Sequence, residues 1–289
     1  RDYFLNHALY PMVQIFTGRG CPNRCTFCSW PETLMGRKYR VRSVENIVNE
    51  FIYIHENLPE VKEIFIEDDT FTIDKNHLQD FCRQLMDTGT SFTWSCQTKA
   101  NLDYNSMQLM KQAGCRLLDV GYESGSSKIL ENIKKDITVE QLRKFTQNAR
   151  KAKLKILADF VIGFPEEDTN SINETVDLIQ EVKPDLLQVS VATPIPGTEF
   201  YEYCRKNNYM VTDDLEKSLD TDGFQRCIVS YPQLSNEEIE NEAGRILKNY
   251  YLSTGYIPIA LKNISGEHGY EEFKLLSKSF LSFFKFLTS

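Results

Sequence analysis

A chain of 289 residues, 41% of them hydrophobic, is long enough to bury a full core, and one α/β barrel with a C-terminal tail accounts for its length. Its net charge of -8 argues against a broad electrostatic footprint for nucleic acid, so neither DNA nor RNA is expected as a partner. No basic start leads into an apolar segment, and no run approaches the roughly 20 apolar residues of a membrane span, so the expected location is the cytosol.

The chain opens on Arg1 rather than Met, which suggests a segment of a longer protein. A first strand is predicted at 12–18 (MVQIFTG), running straight into Cys21, Cys25 and Cys28. Ser43 then caps a helix that places Val44, Ile47, Val48 and Phe51 on one face. A second strand at 61–69 precedes a helix with Leu78, Phe81 and Leu85 aligned; a third at 91–99 precedes one carrying Met107 and Met110. Strands at 115–124, 155–165 and 185–198 follow, separated by helical periods around Leu142, Phe145 and Ala149, then Ile172, Val176 and Ile179. Six βα units in succession imply a parallel sheet, and right-handed crossovers curl it into a partial (β/α)6 TIM-type barrel.

In such a barrel, functional residues gather at the C-terminal strand ends. The first strand ends in the cysteine loop, the second in Glu67, Asp68 and Asp69, and the third in Gln97, Thr98 and Lys99. The fourth ends in Gly121 to Ser124, the fifth in Gly163, Phe164 and Pro165, and the sixth in Pro194 to Gly197. Polar or conformationally special residues therefore converge on one rim.

Three thiolates within eight residues suit a cubane iron–sulfur cluster, in which three irons take protein ligands and the fourth keeps an open position for a small molecule. Gly18 and Gly20 give the entrance of that loop its backbone freedom. A structural zinc site generally wants four ligands, and no second short Cys motif or His cluster follows. Three ordinary buried thiols are the other reading, at odds with their crowding in a loop rich in Gly, Pro and Asn. Cys82, Cys96 and Cys115, on predicted helix and strand faces, read as core.

The run CPNRCTFC resembles the CxxxCxΦC signature of radical S-adenosylmethionine (SAM) enzymes, and the likeness extends through all six strand ends. The resemblance implies a [4Fe–4S] cluster on Cys21, Cys25 and Cys28, with SAM chelating the open iron and reductive cleavage giving a radical that abstracts a substrate hydrogen. It implies Phe27 beside the adenine, and Glu67, Asp68 or Asp69 as partner of the SAM amino group, although the family's usual Gly-Gly-Glu is absent; a solvated acidic loop is the plainer reading. Lys99 becomes a candidate partner of the methionyl carboxylate, or a solvated rim lysine. Glu123 and Ser124 become candidates for the ribose, with helix capping as the alternative for Ser124, and Gly163 would let the backbone approach the adenine. Trp30 and Tyr122 either flank a substrate or pack.

CTFCSWPET, EDDTFT, TWSCQTKAN, GYESG, ILENIKK and PIPGTEFY resemble more narrowly the subgroup that usually carries an N-terminal cobalamin-binding domain, and within it the hopanoid-biosynthesis radical enzymes. That likeness implies rearrangement of the sugar headgroup of a hopanoid lipid to a cyclitol ether; the alternative is cobalamin-dependent radical methylation of another substrate. Cobalamin would be bound by a domain missing from this chain. The implied partners are a small-molecule or lipid-linked sugar and a reductase, flavodoxin or ferredoxin as electron donor.

The expected domains are a barrel core at 1–206 and a mainly helical extension at 207–289. Phe273, Leu276, Phe280, Phe283 and Leu287 form one helical stripe near the C-terminus. It is either an interfacial helix touching a membrane surface or, the preferred reading, a helix packed across the barrel.

Overall fold

The computed structural model describes residue 5, residues 7–221 and residues 223–288, with side chains described as far as 278. Six parallel strands form one sheet in the spatial order β1 (Met12–Ile15), β4 (Glu63–Ile66), β5 (Trp94–Thr98), β6 (Cys115–Glu123), β7 (Lys155–Ile162) and β8 (Leu186–Val191). Two short strands, β2 (Gly18–Arg19) and β3 (Arg40–Val41), pair antiparallel outside it. The crossovers carry α1 (Val44–Asn57), α2 (Lys75–Asp87), α3 (Tyr104–Gln112), α4 (Ser127–Asn132), α5 (Val139–Lys151) and α6 (Thr169–Val182). This is the partial barrel expected from the βα rhythm.

Local chemistry explains where the crossover helices begin. Ser43, Asp74, Asp103, Thr138 and Asp168 each accept a hydrogen bond from the first-turn backbone of the helix they cap, satisfying donors that have no intrahelical partner. α4 differs, because its cap is Ser126 and that side chain makes no capping bond. Ser124 is therefore not the capping residue.

The two faces of the sheet are chemically opposite. Ile64, Ile66, Cys96, Leu118, Val120, Ala158, Phe160 and Ile162 are buried in one continuous core with the helix residues Phe51, Leu78, Phe81, Met107, Met110, Leu142 and Phe145. Tyr122 belongs to this layer, with its hydroxyl 2.7 Å from Thr146 Oγ1, so it packs rather than flanking a substrate. Gln14, Glu67, Gln97, Asp119, Asp159 and Gln188, one from each successive strand or its end, instead line a single cavity. A sheet whose six strands all reach one cavity is curled around it.

The first strand is shorter than its apolar run suggested. It stops at Ile15 because Asp68 captures Thr17, whose N–H and hydroxyl donate to the carboxylate at 2.7 and 2.5 Å. Gly18 and Arg19 then pair with Val41 and Arg40 rather than extending β1.

Beyond α7 (Glu199–Lys206) the rhythm gives way to α8 (Asn236–Tyr251), α9 (Ile257–Ile264) and α10 (Gly269–Thr288). α8 packs on β7 and β8 through buried Ile239, Ala243, Ile246 and Tyr250, so this part of the chain completes the core instead of trailing from it. On α10, Phe273 is exposed, Leu275 is buried and Leu276 packs against the core, which shifts the buried stripe from the one expected. The side chains of Phe280, Phe283 and Leu287 lie outside the described residues. Among the described residues no helix is long and apolar enough to cross a membrane.

Candidate active site

The cysteine loop is held from several directions. Gly20 has φ +93°, and its N–H donates to Asp69 Oδ2 at 3.1 Å. Cys21 N–H donates to the Gly36 carbonyl at 3.2 Å, and Arg37 Nη1 donates to the Asn23 carbonyl at 2.6 Å. Thr26 ties the loop to the end of α4 and the start of α7, donating to the Ile133 carbonyl at 3.0 Å and accepting from Phe200 N–H at 2.9 Å. The Phe27 ring lies 5.0 Å from that of Phe164, which joins the cysteine loop to the segment after β7. A loop braced this way presents its thiols in a fixed arrangement before any ligand arrives.

All three thiols are free; Cys21 is buried, Cys25 and Cys28 are partly buried. Burial raises the Cys28 pKa to about 11 and raises that of Cys25, while the Lys135 ammonium pulls both down. Cys28 also feels the Cys25 and Cys21 sulfurs and Cys25 feels Cys21, so the three share one electrostatic neighbourhood. Asn23 Nδ2 donates to Cys21 Sγ at 3.1 Å. Among the described residues no three His, Cys, Asp or Glu groups converge on a point suited to one metal ion. Three thiols on a single braced loop, adjacent but not drawn round one point, fit ligation at separate corners of a cluster. Iron would also supply the positive charge that favours the thiolates over these reluctant thiols.

The residues expected to contact SAM fall into two groups. Phe27, Glu67, Asp69, Lys99 and Glu123 lie on or beside the rim. Lys99 Nζ donates to Asn23 Oδ1 at 3.1 Å and pairs with Asp136 at 3.3 Å, so it sits beside the cysteine loop rather than in free solvent. Glu67 accepts from Gln14 Nε2 at 2.7 Å and Gln97 Nε2 at 3.3 Å, and burial raises its pKa. Glu123 is buried, held at φ +61°, and paired with Lys135 at 2.5 Å.

Asp68, Ser124 and Gly163 are engaged within the protein. Both Asp68 oxygens bind Thr17, and the Ser124 hydroxyl lies 3.1 Å from Thr175 Oγ1 while accepting from Ser126 N–H. Gly163 has φ +102°, and a Cβ there would come 2.9 Å from Ile239 of α8, so glycine is required by the backbone and by α8 irrespective of any ligand. Trp30 stays substantially exposed in a π-helical turn after the loop.

Lys135, Asn23, Asp119 and Asp159 were not anticipated. Burial is the strongest single influence on the Lys135 ammonium and works against it, but Glu123, Cys25 and Cys28 together outweigh it and its pKa stands above the ordinary lysine value. The segment ILENIKK carried a family likeness, yet only the fold shows which of its lysines turns inward.

The profile of the Radical SAM superfamily matches residues 15–179. An uncharacterized methyltransferase of Pyrococcus horikoshii is 31% identical over 262 residues, 90% of this chain and 55% of that protein. The hopanoid C-3 methylase of Methylococcus capsulatus is 29% identical over 205 residues, 69% of this chain and 38% of that one. The solved TsrM methyltransferase of Kitasatospora setae, with cobalamin and a [4Fe–4S] cluster bound, superposes with a TM-score of 0.68 at 17% identity over 84% of this chain and 52% of TsrM, a likeness of fold. The chain thus spans about half or less of the relatives it matches. Carrying the three-cysteine loop at the mouth of a six-stranded partial barrel, it belongs to the radical SAM superfamily, enzymes that use a [4Fe–4S] cluster and S-adenosylmethionine.

Proposed function

We propose that this chain is the radical-generating part of a cobalamin-dependent radical SAM methyltransferase, completed by a cobalamin-binding domain outside the segment. The observation that carries the reading is the 31% identity to a methyltransferase along 90% of the chain, a match that spans only 55% of that relative. In this reading residues 1–206 form the catalytic core and 207–289 an extension that closes it. The rearrangement performed by bacteriohopanetetrol cyclitol ether synthase has less support, since the hopanoid relative among the matches is a methylase.

When bound, the cluster supplies the electron that cleaves SAM. The chain's own residues do the holding. Cys21, Cys25 and Cys28 ligate the cluster; Glu67 and Asp69 offer carboxylate oxygens to the SAM ammonium, and Lys99 offers its ammonium to the methionyl carboxylate. Glu123 faces the ribose and Phe27 the adenine, with Asp68 and Ser124 behind them as supports. A small electron-transfer protein of flavodoxin or ferredoxin type would deliver the electron, and a lipid-borne substrate would bring the protein to a membrane surface.

The test is a mass-spectrometric count of SAM products from the anaerobic, iron-reconstituted full-length protein with cobalamin, reductant and a bacterial small-molecule and lipid extract. S-adenosylhomocysteine and 5′-deoxyadenosine rising together, with the former lost when cobalamin is omitted, are expected. Deoxyadenosine alone, rising with the lipid fraction, would overturn methyl transfer in favour of rearrangement.

A further inference from the structure

The barrel's inner face is unusual in its chemistry rather than its shape. Along β6 and β7 the outward residues Leu118, Val120, Ala158 and Phe160 are buried and apolar, whereas the inward Asp119 and Asp159 are acids. The same inversion recurs on every strand: Gln14, Glu67, Gln97 and Gln188 complete a ring of carboxylates and carboxamides round a cavity of about 260 Å³. Apolar contributions come mainly from its floor, where Leu5, Phe65 and Leu157 lie beside His7. The strand-end part of the lining is polar throughout, and the volume is below the roughly 300–1,000 Å³ typical of pockets for drug-sized ligands.

Two polar atoms of this lining are buried without a hydrogen-bond partner, Asp159 Oδ1 and His7 Nε2. A buried acceptor left unsatisfied is costly, and such atoms are rare unless a ligand or ordered water completes them. Burial, and after it the neighbouring Asp119 carboxylate, push the Asp159 pKa well above the ordinary aspartate range. Burial lowers the His7 pKa, so at neutral pH its ring is a neutral hydrogen-bonding group. Lys135 is already paired with Glu123 at 2.5 Å, and Lys155 with Glu272 at 2.7 Å. Among the described residues neither Asp119 nor Asp159 forms an ion pair, although the Lys135 charge still reaches Asp159 from its place beside Glu123.

We propose that this cavity seats the amine-bearing end of a small hydroxylated substrate, with the ammonium between Asp119 and Asp159 and the hydroxyls on the carboxamides of Gln14, Gln97 and Gln188. The inference rests on the barrel being the reaction chamber, and it names the class of group the chamber selects. An ammonium supplies donors to the unsatisfied Asp159 oxygen and removes the carboxylate repulsion at the same time. Carboxamides complement hydroxyls in both directions, since each carries an acceptor and two donors. A flat apolar macrocycle or a hydrocarbon chain placed there would desolvate these groups and leave the Asp159 oxygen unpaired.

The probes are glucosamine and glucose, which have the same size and differ by one ammonium group. Their binding to the SAM-loaded, cluster-reconstituted full-length protein is measured by ligand-observed NMR at pH 7. Glucosamine is expected to bind at least about tenfold more tightly than glucose, the scale of one charge-assisted hydrogen bond. In Asp159→Asn and in Asp119→Asn that preference is expected to fall to about twofold or less, with iron content and the thermal midpoint reporting that each variant is folded. Equal binding of the two sugars, no saturable glucosamine binding, or a preference that survives in folded Asp159→Asn would each overturn the proposal. Deoxyadenosine release from the same samples is scored separately: its absence with the preference intact counts against radical chemistry, not against the amine seat.

Discussion

Glu167 shows how much one side chain behind the rim controls. It is fully buried, accepts from Gly163 N–H at 2.5 Å, and leaves its other oxygen without a partner. Burial raises its pKa from the ordinary 4.5 to about 7, so the folded chain holds a proton that the unfolded chain has released across that interval. As far as this group is concerned stability is therefore fully present below about pH 4.5 and falls as pH rises towards 7, by about 3 kcal/mol in all. Glu167→Gln removes the titration while keeping an acceptor for Gly163. Its denaturation free energy should gain on the parent from pH 5 to about pH 7 and level off above it, and a difference that stays constant between pH 5 and pH 7 would refute this account. Single residues were legible in the sequence when their chemistry was local: Cys21, Cys25 and Cys28 announce themselves by spacing. Lys135, Asp119 and Asp159 were not, because their meaning comes from partners on other strands or loops.

The element that matters most is the loop between β1 and α1. Its conformation depends on Gly20, where an added Cβ would come 2.3 Å from the Lys38 carbonyl oxygen, a backbone atom that cannot step aside cheaply. Gly36 also has a positive φ, +74°, but nothing lies within 4 Å of the position its Cβ would take. Gly20→Ala and Gly36→Ala therefore share a backbone penalty of about 1 kcal/mol and differ in the clash. Iron and sulfide per chain after reconstitution should fall several-fold in Gly20→Ala and by less than about half in Gly36→Ala; equal losses would show that the loop is not shaped by this contact. Helix faces were readable from apolar period, and Ile47, Phe51, Leu78, Phe81, Leu142 and Phe145 are all buried as their spacing required. The end of β1 was not readable, because the residue that stops it, Asp68, lies 51 positions from Thr17.

At the scale of the whole molecule, the barrel is closed from below by charge. Arg116 of β6 binds both oxygens of Glu63 at 2.9 Å and reaches Glu272 of α10 at 2.8 Å, while Lys155 of β7 holds Glu272 at 2.7 Å. Removing Glu272 leaves Lys155 without this buried partner and detaches α10 from the strands, so Glu272→Ala should cost about 3 kcal/mol and expose α10 to limited proteolysis. Glu271, one residue away, pairs with the more exposed Lys62, and Glu271→Ala should cost under about 1 kcal/mol. Comparable losses in urea titrations of the two variants would sink this view of the floor. The sequence disclosed a helical C-terminus but not its attachment, which depends on residues 156 positions apart. The opposition between the two faces of the sheet has a further consequence, which concerns descent rather than chemistry. Because the apolar packing that keeps the chain folded lies on the helix side, changes at Gln14, Gln97, Asp119, Asp159 or Gln188 leave that packing untouched. Lineages built on this framework can exchange one substrate for another by small steps, each retaining a foldable intermediate.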